Sequence, residues 1–172
     1  MFSKARQLPA TAVYFTEFSS RIGTIQLRGT ATALTGVFME QHRHEPSQPV
    51  GAVRDAGPLR SAQRELEEYF EGGRREFSVT LAPAGTPFQT RVWQALRAIP
   101  YGETISYLDL AQRVGNPRAF RAVGQANGHN PISIIVPCHR VIAADGSLGG
   151  YGGGLERKRI LLALEKVITK AG

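Results

Sequence analysis

Cys138 is the single cysteine of this 172-residue chain, and it stands in the run Ile134-Ile135-Val136-Pro137-Cys138-His139-Arg140-Val141-Ile142. A lone thiol forms no internal disulfide, and thiolate zinc sites take two to four cysteines, so neither structural use is open to it. Two uses remain: a small apolar residue in the core, or a nucleophile. His139 and Arg140 favour the second, because neighbouring positive charge lowers a thiol pKa and the thiolate is the reactive form. The apolar runs on both sides read as strand. Adjacent side chains on extended backbone point to opposite sides, so His139 is not expected to touch the thiol directly, and a bridging water would solve that geometry.

The whole chain narrows the class of chemistry. With 42% apolar residues it can build a core for one domain or two small ones. It lacks a run of about 18 apolar residues for a membrane span, and its first residues lack the pattern of a secretory signal. Together with one unpaired cysteine, these features point to a reducing, cytoplasmic setting. The formal charge of +7 favours an anionic partner, and nucleic acid is the commonest. From Phe88 onward there are 11 Lys/Arg against 5 Asp/Glu, whereas residues 1–87 hold 10 against 9. The basic excess therefore lies in the half that carries Cys138.

Two segments with different patterning must position these residues. In the first, residues 13–18, 23–28 and 34–39 are β-rich runs separated by turn residues, which predicts a small antiparallel meander. Residues 40–57 read as a mobile loop. Pro58 opens a helix with Leu59, Ala62, Leu66, Tyr69 and Phe70 on one face, Gly72-Gly73 ends it, and Phe77, Val79 and Leu81 alternate as a further strand. This gives an N-terminal α/β domain over 1–82 and a linker over 83–87. The second domain, 88–172, is mostly helical. Thr86-Pro87 caps a helix through Phe88, Val92, Ala95, Leu96 and Ile99, and Pro100-Tyr101-Gly102 stops it. Ser106 and Asp109 form a capping box for a helix over 107–114. Gly115-Asn116-Pro117 then turns the chain into 118–128, so the pair reads as a helix-turn-helix or a plain helical hairpin. Its second helix is lined by Ala119, Ala122, Gly124, Ala126 and Gly128 around Arg121, a surface that suits close approach of another helix or of a nucleic-acid groove. A closing helix spans 155–168.

The ordered motifs Phe88-Gln89-Thr90-Arg91-Val92-Trp93, Ile99-Pro100-Tyr101-Gly102-Glu103-Thr104, Arg121-Ala122-Val123-Gly124, Asn130-Pro131 and Ile135-Val136-Pro137-Cys138-His139-Arg140-Val141 resemble those of the O6-alkylguanine-DNA alkyltransferases, also called methylated-DNA–protein-cysteine methyltransferases. The resemblance runs from about residue 88 to residue 165, and the first half matches by layout. It implies an RNase H-like N-terminal domain and a winged-helix-like C-terminal domain carrying the helix-turn-helix. It also implies repair by direct reversal: Cys138 takes the alkyl group from guanine O6, and from thymine O4, in duplex DNA and keeps it, once per molecule.

By the same resemblance, Glu165 orients His139, which acts on Cys138 through water, and Asn130 ties the recognition helix to the active-site strand. Tyr107 donates to the departing base. Arg121 fills the space left by an extruded base, with Ala122, Ala126 and Gly128 on the DNA-facing surface. Val141, Tyr151, Gly152 and Gly153 line the base pocket. Arg91, Arg118 and Arg140 are candidates for phosphate contact. No cofactor and no metal are expected: the zinc-binding cysteines of some relatives are absent, and His42 and His44 read as solvated loop residues. Asn127 replaces a larger apolar residue found in some relatives. The expected species is a monomer on DNA, with cooperativity open. The rival readings are a non-catalytic alkyltransferase-like lesion binder and a Cys-His hydrolase.

Overall fold

A computed structural model of the protein describes residues 11–167. Strands β1 (Tyr14–Ser20), β2 (Gly23–Gly29) and β3 (Leu34–Met39) form the antiparallel meander, with Phe18 opposite Ile25 and Leu27 opposite Val37. A short β4 (Val53–Arg54) adds in parallel to β1, giving the order β3-β2-β1-β4. Alternation puts Phe18, Ile25, Leu27, Val37 and Met39 inside. A 3-10 turn, Gly57–Leu59, leads from Pro58 into helix α1 (Arg60–Phe70), whose Ala62, Leu66, Tyr69 and Phe70 join the same core.

Two expectations for this domain need correction. Residues 40–57 are not simply a mobile loop, because they contain β4 and are pinned from both domains. Arg28 donates to the Pro46 carbonyl at 2.7 Å and pairs with Glu45, and the Arg43 amide donates to the Gly152 carbonyl at 2.8 Å. The alternating 77–81 segment is not a strand either: it makes one bridge, Leu34 with Leu81. The outer edge of β3 is shared, since Val37 donates to the Pro131 carbonyl at 2.8 Å and pairs with Ile132 of the second domain. Buried Glu65 meanwhile takes the Ser78 amide at 2.9 Å and its hydroxyl, replacing ladder bonds with side-chain bonds.

The second domain starts with α2 (Pro87–Arg97). Thr86 accepts from the Gln89 amide at 3.1 Å while the Gln89 side chain accepts from the Thr86 amide at 3.0 Å. Ser106 and Asp109 make the same reciprocal cap at α3 (Tyr107–Arg113), just after β5 (Ile105–Ser106). A 3-10 turn, Pro117–Ala119, leads into α4 (Phe120–Gly128). The buried Trp93 indole locks α2 to α4 by donating to the Ala126 carbonyl at 2.9 Å. The strand expected through Cys138 is instead a 3-10 turn, Cys138–Arg140, followed by a two-residue β6 (Val141–Ile142) parallel to β5. Helix α5 (Leu155–Leu164) closes the fold with Glu165 as its C-cap. Its expected end at Ile168 lies outside the described residues. Among them, no helix is long and apolar enough to cross a membrane.

Removing one capping oxygen leaves an N-terminal amide of α2 without its partner. Thr86→Ala should therefore lower the unfolding free energy by about 1 kcal/mol, read as a shifted urea midpoint with an unchanged slope.

Candidate active site

The C-cap position of α5 places the Glu165 carboxylate, 3% exposed, at the junction of both domains. Five donors reach it. Tyr69 OH from α1 and His139 Nε2 each lie 2.7 Å from Oε1, Arg140 donates from Nη2 to Oε1 and from Nε to Oε2 at 2.9 Å, and the Gly102 amide reaches Oε2 at 3.2 Å. Gly102 has φ +81, and a Cβ there would stand 3.3 Å from the Glu165 carbonyl, so glycine fits both the turn and the approach. Burial alone would raise the Glu165 pKa. The hydrogen bonds and charge of His139 and Arg140 outweigh it and hold the carboxyl well below the usual range.

Arg140 is thus not available for phosphate, contrary to expectation: it is 5% exposed, forked onto Glu165 and bonded to the Ile99 carbonyl at 2.6 Å. His139 is fully buried, and burial pushes its pKa down against the pull of Glu165, so the imidazole is neutral. With its Nε2 proton donated to the carboxylate, Nδ1 carries the free lone pair. Nδ1 has no hydrogen-bond partner among the described residues. The Cys138 thiol, 4% exposed, is pushed up by burial, with Asn130 and the Lys158 ammonium pulling the other way. The charges expected to lower it are otherwise engaged, Arg140 on Glu165 and His139 in its neutral form. The resting residue is a thiol.

Asn130 binds the strip before Cys138 into a tight shape. Its Nδ2 donates to the Val136 carbonyl at 2.7 Å and its Oδ1 accepts from the Ile132 amide at 3.0 Å. Within that strip Ile134 has φ +74, a conformation costing a branched residue about 1–3 kcal/mol, which Asn130 and the Ser133–Val136 bridge oppose. Lys158, fully buried, donates to the Val141 carbonyl at 2.6 Å and the Gly150 carbonyl at 3.0 Å, and burial lowers its pKa to about 8. Sequence reasoning missed Lys158, Tyr69 and the role of Arg140. One signal was present: Lys158, Leu161, Leu162 and Glu165 recur at helical spacing, on the buried stripe of α5.

A cavity of about 700 Å³ opens between the helix pair and the glycine-rich loop. It is walled by Tyr107, Gly124 and Gly128 of the helix pair, by Tyr151 and Gly152 of the glycine-rich loop, and at its mouth by Arg121. Asn127, buried in α4, reaches from this wall to the Cys138 carbonyl at 3.5 Å. Burial raises the Tyr107 pKa, so its phenol keeps the proton that it could donate. Gly149, at φ +67, passes where a Cβ would come 2.9 Å from that hydroxyl. Among the described residues, the buried side-chain polar atoms without partners are His139 Nδ1, Ser133 Oγ, Tyr151 OH and Asn127 Oδ1.

Several expected site residues stand elsewhere. Ala126 is 4% exposed and faces the core, not the outer surface, because it lies on the side of α4 that packs on Trp93. Ala122 is exposed on that helix. Val141 is fully buried and meets Lys158 through its carbonyl, while Gly153 borders a neighbouring cavity. The histidines are not both solvated. His42 is buried, accepts from the Met39 amide at 3.3 Å and has its pKa lowered to about 4, chiefly by burial. His44 stacks on His129 with ring centres 3.9 Å apart.

Glu165→Gln should cost about 3–5 kcal/mol, because it leaves buried Arg140 without its counter-charge. The folded pKa of Glu165 is depressed, so its contribution is complete above its unfolded pKa of about 4.3 and fades as pH falls through the lower folded value. The gap between wild type and variant in urea melts should therefore be constant at neutral pH and shrink below about pH 4.

Two family descriptions match the chain: the ribonuclease-like domain of 6-O-methylguanine DNA methyltransferase over residues 13–83, and the DNA-binding domain of the same family over 87–167. The methylated-DNA–protein-cysteine methyltransferase of Mycobacterium tuberculosis is 51% identical over 154 residues, covering 90% of this chain and 93% of the relative. Its namesake in Methanosarcina acetivorans is 49% identical over 153 residues, covering 89% and 98%. A crystal structure of the Mycobacterium tuberculosis OGT in complex with DNA aligns with a TM-score of 0.86 at 52% identity, covering 89% of this chain and 93% of that one. The fold, with its N-terminal sheet domain and helical C-terminal domain, follows that structure, and this chain belongs to the methylated-DNA–protein-cysteine methyltransferase family.

Proposed function

We propose that the protein repairs duplex DNA by moving an alkyl group from guanine O6 to Cys138, once per molecule. The observation that carries this reading is the buried thiol beside a neutral His139, whose Nε2 is bonded to Glu165 and whose Nδ1 is unpartnered. In the reaction, the thiol proton passes through one bridging water to Nδ1, and the imidazolium formed is stabilised by Glu165. The thiolate attacks the alkyl carbon, the carbon–O6 bond breaks, and its electron pair leaves on guanine. Tyr107 donates to the departing base, and Tyr151 packs against it in the cavity. The product thioether has no hydrolytic exit, so the protein is consumed. Thymine O4 presents the same bond to the same nucleophile.

Reaching that bond in a duplex requires extruding the nucleotide, at a cost of about a few kcal/mol. Arg121, exposed at the mouth of the cavity on the helix-turn-helix, occupies the space left in the stack. Exposed Arg118 and Arg91 then serve the phosphates, which makes binding weaker as salt rises. The setting consistent with a free thiol is a reducing one, the cytoplasm.

Incubation with duplex DNA carrying a radiolabelled O6-methylguanine should leave at most one equivalent of label on the protein, and none on Cys138→Ser. Repeated release of a small labelled product would instead indicate a turning-over hydrolase, and tight binding of the lesion without transfer would indicate a lesion-recognition protein.

A further inference from the structure

Phe120 opens α4 without joining the core. It is 48% exposed, whereas the buried side of the helix is made by Val123, Ala126 and Asn127. At about 100° per residue it falls between Gly124 and Asn127, on the side of α4 that lines the cavity together with Arg121, Gln125 and Gly128. Its ring lies 5.9 Å from the Arg121 guanidinium. Apart from Arg121 and the exposed Gln125, the outer surface is small: Ala122, Gly124 and Gly128. A large aromatic ring at the water-exposed start of such a helix is not accounted for by packing, and phenylalanine is a middling helix former.

We propose that Phe120 is an aromatic wedge for duplex DNA, packing its ring against the base-pair step beside the extruded nucleotide while Arg121 fills the vacated position. This deepens the repair reading and rests on it. Apolar side chains driven between base steps unstack and kink a duplex, and aromatic faces stack on bases without regard to sequence. An arginine supplies charge and hydrogen bonds to the gap, and the ring supplies the apolar stacking surface that the neighbouring pair loses. Contact between guanidinium and ring lets the two enter together. Arg118, exposed in the turn before α4, is placed to hold the adjoining backbone phosphate. Phe120 is therefore a positioning residue whose value appears only where a stack has to be opened.

The test compares single-turnover methyl transfer from O6-methylguanine in a duplex with transfer from the same strand alone, using the full chain. Phe120→Ala should slow the duplex reaction about tenfold more than the single-strand reaction. It should also remove the fluorescence rise of a 2-aminopurine placed next to the lesion when protein binds. Phe120→Trp should restore both signals. Equal slowing on the two substrates, or none on either, overturns the wedge while leaving the repair reading intact. Failure of the wild type to transfer from either substrate overturns the repair reading and the wedge with it.

Discussion

Burying an ionised carboxylate costs several kcal/mol unless a cation and a full set of hydrogen bonds offset it. Glu165 meets that demand with donors drawn from separated parts of the chain: Tyr69 of the first domain, Gly102 after α2, and His139 and Arg140 beside the thiol. Each donor fixes something else. Tyr69 draws the sheet domain onto the half that carries Cys138. Gly102 sets the turn between α2 and β5, and the adjacent pair sets the orientation of the turn that carries Cys138. The N-terminal domain is therefore part of the scaffold of the site, and not merely a neighbour.

The same arrangement decides where protons sit. An ionised Glu165 keeps the histidine proton on Nε2, and burial keeps the ring neutral, so Nδ1 is left as a base. Burial also keeps Cys138 protonated. A thiol in this state is a poor nucleophile and a poor target for oxidation. That would suit the single use proposed for Cys138, which has to survive intact until its substrate arrives. In the proposed reaction, reactivity depends on the proton transfer from Cys138 to His139 Nδ1.

Local signals in the sequence were readable wherever local chemistry decides structure. Ser106 with Asp109 and Thr86 with Gln89 form caps from residues three apart, and the β1 to β3 alternation follows from one buried face. Phe77, Val79 and Leu81 alternate equally well, yet the edge that they would extend is shared with Pro131 and Ile132, a partner more than 50 residues away that no local pattern announces. Cys138, His139 and Asn130 stand in the ordered motifs, and Glu165 was paired with His139 only through the family resemblance. Arg140, Lys158 and Tyr69 were not legible, because a basic or phenolic side chain reads as surface or core until its distant acceptor is known. The 3-10 turn at Cys138 was hidden by the β-branched residues around it, whose extended preference yields there to the ties made by Asn130.

His139 rests as a neutral base with its proton on Nε2. Nitrogen-15 correlation spectroscopy of histidine-labelled protein, with His139 assigned by substitution, reads both ring nitrogens directly. A protonated Nε2 and an unprotonated Nδ1 at pH 7 to 8 would be the predicted result, since burial lowers the pKa from its usual value near 6.5. An imidazolium at pH 7, or a proton on Nδ1, would rule out that resting state.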